Sequence, residues 1–187
     1  MRDKTEQILN AAMKVFVKKG LQATTQEIAK EAEVAEVTLF RKFANKQNLF
    51  VTVIKNVLER QFDSHINRMA KTEDTEAFLI KIIENRLGTL SRNAPMVKML
   101  ISESLMGNLD EEVDLPNMIF SSLEKGLALH FENKGQVVDP GLVARHLGGI
   151  FVSQVVFKND TPFHLLNEEE KIALVRKYAQ SVIAIIK

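Results

Sequence analysis

Apolar residues recur three and four positions apart along nearly the whole chain, and no stretch alternates convincingly between apolar and polar. That spacing is the signature of helices with one buried face. It predicts nine helices, at about 4–19, 25–32, 36–43, 45–70, 76–92, 95–107, 112–133, 140–157 and 168–186. The breaks between them carry turn chemistry: Gly20-Leu21, Asn93-Ala94-Pro95, Gly107-Asn108, Lys134-Gly135-Gln136, and Lys158 to Asn167 with Pro162. Asp3 is placed to cap the first helix. Val155-Val156-Phe157 is β-prone but sits inside a helical period. The expected fold class is all-α.

The stretch from Thr24 to Leu49 organises the rest. Thr24 followed by Glu27 is a capping box, which satisfies two orphan amides at a helix start. Ile28, Ala29 and Ala32 then form a short apolar face, and Glu33-Val34-Ala35 is the turn. In the next helix Leu39 and Phe43 lie four residues apart on one side, where they can pack on Ile28, Ala32 and Val34. The opposite side carries Phe40, Arg41 and Lys42, with Lys46 just beyond. Two helices that bury an inner face and turn an aromatic and cations outward suit docking in a DNA major groove. A mini-core of Ile8, Phe16, Leu21, Ile28, Leu39 and Phe43 is too small to stand alone. The helix opening at Asn45 supports it, with apolar pairs repeating from Leu49/Phe50 to Met69 over about 25 residues, or roughly 38 Å.

Composition narrows the function. Of 187 residues 45% are hydrophobic, enough for one sizeable core or for a small domain fused to a larger one. There is no cysteine, which excludes disulfides and thiol chemistry and fits a reducing cytoplasm. No apolar run approaches the ~20 residues of a membrane span, and the first sixteen residues read as an amphipathic helix rather than a signal peptide. A soluble, cytoplasmic protein is expected. The net charge is only +1, yet residues 1–50 carry an excess of three positive charges. The clustering of Arg41, Lys42 and Lys46 on one helix face is what makes that excess informative. The four histidines, at 65, 130, 146 and 164, lack metal-ligand spacing, and no nucleophile elbow or phosphate loop appears. No enzyme activity, metal or cofactor is expected.

Residues 33–49, E-V-A-E-V-T-L-F-R-K-F-A-N-K-Q-N-L, resemble the recognition segment of the tetracycline-repressor (TetR) family, typically G-V-S-x-G-T-L-Y-x-Y-F-x-x-K-x-x-L. Val34, Thr38, Leu39, Phe43, Lys46 and Leu49 match. Glu33, Ala35, Val37, Phe40 and Lys42 replace the usual Gly, Ser, Gly, Tyr and Tyr. The resemblance is specific over about the first 50 residues and architectural beyond them. It implies a helix-turn-helix DNA-binding domain at 1–45 and a helical ligand-binding and dimerisation domain at 46–187, linked by the long helix 45–70. The DNA-binding set is then Thr25, Ala35, Glu36, Val37, Phe40, Arg41, Lys42 and Lys46. Arg41 suits a guanine edge or phosphate, Thr25 and Lys46 a phosphate, and Phe40 a sugar or thymine methyl.

The resemblance also implies a small-molecule pocket. Methionines cluster between Met96 and Met118, and methionine suits adaptable pockets as well as ordinary core. The expected lining is Phe62, Arg86, Met96, Met99, Glu103, Met106, Phe120 and Phe151, with His130, His146 and Gln154 as further polar candidates. The effector would be mainly apolar. A homodimer through the last two helices is implied too, at Ala144, Gly148, Gly149, Val152, Val175, Ala179, Val182 and Ile183. Two glycines inside a helix cost about 1 kcal/mol each, so close approach by another helix is expected there. The function implied is a ligand-responsive repressor that binds a palindromic double-stranded DNA operator as a dimer. The alternative is a helical small-molecule or protein-binding module that no longer engages DNA, which Ala35, Val37 and Phe40 favour.

Overall fold

The computed structural model describes residues 4–59, 62–72, 74–109, 114–157 and 161–186. Asp3, the expected first cap, lies outside the described residues. Among those described there is no strand, and ten α-helices follow in order. They are α1 (Thr5–Lys19), α2 (Thr25–Glu31), α3 (Glu36–Phe43), α4 (Lys46–Ile54), α5 (Phe62–Thr72), α6 (Thr75–Arg92), α7 (Ala94–Leu105), α8 (Leu115–Asn133), α9 (Pro140–Val156) and α10 (Glu168–Ile186). The tenth arises because the expected single helix at 45–70 is interrupted: a π-helical turn occupies Lys55–Glu59 between α4 and α5. The apolar pairs from Leu49 to Met69 repeat every four residues, longer than the 3.6 of an α-helix. One wider π turn absorbs part of that excess.

The chain packs as two compact units, Met1–Arg60 with Pro95–Val113, and Gln61–Ala94 with Asp114–Lys187. This division differs from the expected boundary at 45/46. Helix α4 stays with the first unit because Leu49, Phe50 and Val53 are buried and Phe50 sets its ring edge-on to Phe16 at 5.0 Å.

In the first unit the core is Ile8, Ala12, Phe16, Ile28, Leu39, Phe43, Leu49 and Val53. The capping box is formed: Thr24 Oγ1 accepts the Glu27 amide at 3.2 Å and Glu27 returns a carboxylate oxygen to the Thr24 amide at 3.1 Å. Glu27 also pairs with Lys19 of α1, and that ammonium, then the Thr24 amide, hold its carboxyl below its ordinary value. Helix α2 ends with the Val34 amide on Ala29 O and the Glu33 amide on Lys30 O, the two bonds of a Schellman motif. That motif needs a left-handed residue at Glu33, and Glu33 adopts it at φ 50° although it carries a side chain. Helix α3 starts without a side-chain cap, since Ala35 has no hydroxyl. Asn45 caps α4 by accepting the Asn48 amide at 2.7 Å.

In the second unit α8 packs on α5 and α9, and α6 on α9 and α10. Phe78, Leu79, Ile82, Leu127, Phe131, Leu147 and Phe151 fill the centre. His130 is fully buried there, stacked on Phe78 at 4.1 Å, with Nδ1 3.1 Å from Ala70 O and Nε2 3.0 Å from Thr75 Oγ1. The carbonyl can only accept, so Nδ1 carries the proton, and burial pushes the imidazole pKa down toward the neutral form. His130 is therefore a structural tie between α8 and the α5–α6 corner.

Five residues expected at a dimer interface are instead spent inside one chain. Ala144, Val175, Ala179 and Val182 are buried in the second unit's own core. Gly148 makes room for Phe120 of α8: a Cβ there would lie 2.3 Å from the Phe120 ring. The missing side chain serves an intramolecular contact. Gly149, by contrast, has open space around its Cβ position, and Val152 is 39% exposed.

The strain at Glu33 yields a prediction. A residue with a side chain in the left-handed region costs roughly 1–2 kcal/mol, partly offset in glycine by chain entropy. Glu33→Gly should therefore stabilise the chain by about 1 kcal/mol, raising the calorimetric midpoint by roughly 2–4 °C.

Candidate nucleic-acid interface

Eight residues make α3, and their helical spacing divides them cleanly. Leu39 is fully buried and Phe43 nearly so, while Val37 is 72% and Phe40 42% exposed. Ala35, Arg41 and Lys42 are exposed on the outward side with them. Apolar exposure of this kind is costly in water and suits thymine methyls and sugars. Arg41 has no side-chain partner among the described residues, so its guanidinium fork is free for a guanine edge or a phosphate.

The other expected DNA-binding residues are already engaged. Thr25 donates its hydroxyl to the Glu36 carboxylate, a polar bond between the starts of α2 and α3. Lys42 reaches Thr5 Oγ1 at 2.8 Å. Lys46, expected simply at a phosphate, is half-buried and donates to Leu21 O at 2.7 Å. An ammonium has three donors, so this bond orients Lys46 and leaves two for an anion. Sequence spacing carried no signal for the Thr25–Glu36 and Lys46–Leu21 bonds, because both join residues far apart in the chain. Ala44, between α3 and α4, carries no such signal either. At φ 63° and ψ −46°, with the Asn45 amide on Phe43 O at 2.7 Å, it is the centre of a γ-turn, a rare and strained geometry.

The expected ligand-lining residues divide between the two units. Met96, Met99, Glu103 and Met106 belong to the first, and Phe62, Arg86, Phe120 and Phe151 to the second. Met96 is buried, but Met106 is 60% exposed past the end of α7, which removes it as a pocket wall in its own unit. Glu103 is buried and already bonded, to the Leu21 amide at 3.1 Å and to Asn108 Nδ2 at 2.7 Å. Arg86 is buried within α6, and Phe151 is core. The side chain of Phe62 lies outside the described residues. Phe120 lines a groove of about 490 Å³ between α8 and α9, with Ala144, Lys125 and Arg145. Of the further polar candidates, Gln154 bonds the Tyr178 hydroxyl and His146 is exposed. Among the described residues no three His, Asp or Glu side chains gather as a metal site, and no helix is long and apolar enough to cross a membrane.

Comparison with known proteins places the helices of this head in a family. Residues 8–53 match the model of the bacterial regulatory proteins of the tetR family. An uncharacterised HTH-type transcriptional regulator of Bacillus subtilis (strain 168), YvkB, is 45% identical over 82 residues, 43% of this chain and 40% of that one. The matched stretch thus spans less than half of that relative. The nucleoid occlusion factor SlmA of Klebsiella pneumoniae is 30% identical over 155 residues, 78% of each chain. This chain belongs to the tetR family. Solved TetR-family structures share the fold along nearly the whole length. A regulator from Mesorhizobium loti has a TM-score of 0.71 at 19% identity, covering 97% of this chain and 96% of that one. FadR of Bacillus subtilis, solved with stearoyl-CoA, has 0.65 at 18%, covering 96% and 97%. Membership places the chain among the bacterial regulatory proteins of the tetR type.

The two cations of the TetR-family head should separate in a paired test. Arg41→Ala should cost about 1–3 kcal/mol of operator affinity, roughly five- to 150-fold, with the melting midpoint unchanged. Lys46→Ala should reduce the slope of affinity on salt by about 1 and also lower the midpoint, because it releases Leu21 O. Fluorescence anisotropy at several salt concentrations and scanning calorimetry measure both.

Proposed function

We propose that this chain is a repressor that binds a palindromic operator as a two-fold dimer and leaves it when a mainly apolar small molecule binds. The observation that carries the reading is the outward face of α3, where Val37, Phe40 and Arg41 are exposed on a helix anchored by Leu39 and Phe43. A monomeric face of this kind reads about one half-site, and two-fold symmetry supplies the second. Support for a dimer comes from α9, where Leu142, Gly149 and Val152 lie along one side, with Leu142 59% exposed and Gly149 open. Ile172 and Ile185 of α10 are about half exposed as well. An effector with a large apolar part is supported by the acyl chain of the stearoyl-CoA with which the FadR neighbour was solved. The absence of cysteine is consistent with a cytoplasmic site. The thermodynamic requirement is that the effector bind the released state more tightly than the DNA-competent one.

A second reading has its own support, since the longer relative match is to a nucleoid occlusion factor. The two part on transcription: a promoter carrying the selected site is turned down by the protein under the first reading and unaffected under the second.

The experiment is selection of duplexes from a random-sequence library, footprinting of the winners, and sedimentation of the complex. Two inverted half-sites about one helical turn or a multiple apart are expected, with two chains per site. Val152→Glu should shift the protein toward monomer and lower its operator affinity by at least an order of magnitude. An asymmetric single site, or a dimer indifferent to Val152→Glu, contradicts the proposal.

A further inference from the structure

Leu21, in the corner between α1 and α2, has both of its backbone polar groups held by side chains from elsewhere in the first unit. Its carbonyl accepts Lys46 Nζ at 2.7 Å, and its amide donates to Glu103 Oε1 at 3.1 Å. Lys46 is the first residue of α4, three positions after the end of the docking helix α3. Glu103 lies on α7, far outside the 8–53 segment that defines the family's DNA-binding head.

Glu103 is only 8% exposed. A buried carboxylate is expensive unless hydrogen bonds replace its water, and here both oxygens are supplied. The second comes from the way α7 ends. Gly107, at φ 69°, sends its amide to Ser104 O, and the Asn108 amide returns to Glu103 O at 2.9 Å. This Schellman closure turns Asn108 back over the last turn, where its Nδ2 meets Glu103 Oε2 at 2.7 Å. Asn108 thus braces the carboxylate from behind while the other oxygen points at the head.

The receiving surface is matched to it. Gly20 adopts φ 59° and ψ −147°, a region reached essentially by glycine alone. A Cβ on Gly20 would lie 2.0 Å from Glu103 Oε1. The space that a side chain would fill is the space the carboxylate occupies. Among the described residues no ion pair involves Glu103, and no three His, Asp or Glu side chains gather as a metal-holding cluster.

We infer that Glu103 is a positioning residue for DNA binding: braced by Asn108, it holds the Leu21 amide and, through the same residue's bond to Lys46, sets where α4 begins and how α3 presents its outward face. The inference rests on α3 being the DNA-docking face, and an Arg41→Ala control reports on that face independently.

The test uses the full chain and two probes, a duplex selected from a random library by the unaltered protein and an unrelated duplex of equal length. Glu103→Ala should bind the selected duplex about tenfold more weakly, the scale of one lost hydrogen bond to a charged group. Its affinity for the unrelated duplex should hold, since the cations of the docking face remain. Glu103→Gln removes the same charge but keeps an oxygen for the Leu21 amide, and the Asn108 amide can rotate to suit it. It should stay within about twofold of the parent. Asn108→Ala, at an exposed site, should lose about threefold on the selected duplex with an unchanged melt. The inference is overturned if Glu103→Ala binds as the parent does, or if the Ala and Gln variants shift equally, which would be a charge effect. It is also overturned if a folded Glu103→Ala loses both duplexes equally. Should Glu103→Ala not fold, Asn108→Ala decides: a threefold loss supports the inference and an unchanged affinity overturns it. If Arg41→Ala leaves the selected duplex unaffected, the docking face itself is misplaced, whatever Glu103 does.

Discussion

An eight-residue helix cannot hold itself together in water. Nucleation costs more than so few hydrogen bonds return, and isolated helices shorter than about 12–15 residues are marginal. Helix α3 spans Glu36–Phe43, has no side-chain cap, and must still present Val37, Phe40 and Arg41 in a fixed arrangement. Its order is therefore borrowed. Leu39 and Phe43 anchor it in the core of the first unit, and full burial of such side chains contributes about 1.5–3 kcal/mol each. The rest of that unit is arranged so that these two anchors have something firm to sit in.

The polar bonds around α3 follow from the same need. Thr25 to Glu36 fixes its start against α2, and Lys42 to Thr5 ties its last turn toward α1. Beyond its end the chain passes through the strained Ala44 and is caught by Asn45 capping α4. Lys46 then returns to Leu21, which Glu103 holds from α7. Strain of the kind at Glu33 and Ala44 persists where surrounding contacts over-determine the backbone. The tetR family often has glycine at the first position. Here the Schellman bonds of α2 impose the conformation on glutamate.

Much of this was legible from residues alone, and the reasons for the rest are specific. The bounds of α3, the Thr24–Glu27 box and the Asn45 cap are local, written within four residues of where they act. Leu39 and Phe43 declare a buried face by spacing. Periodicity says that Val175, Ala179 and Val182 are buried, but not whether by their own chain or by another, and their own chain buries them. Gly148 signals close approach without naming the neighbour, which is Phe120. Lys46 and Glu103 have long flexible side chains whose partners lie 25 and 82 residues away. Nothing in local spacing encodes such bonds. The π turn at Lys55–Glu59 left a trace, a repeat of four where 3.6 was due, but no glycine or proline marks it.

A head assembled in advance and docked through α3 makes a direct claim about where DNA touches the chain. Hydrogen exchange of the free protein and of its complex with a selected duplex measures it residue by residue. The largest gain in protection should fall on residues 33–46, foremost on the Glu36 and Val37 amides, which stand ahead of the first bond of α3, Thr38 N to Ala35 O. No gain there, with the main protection in other helices such as α8 or α9, would contradict the account.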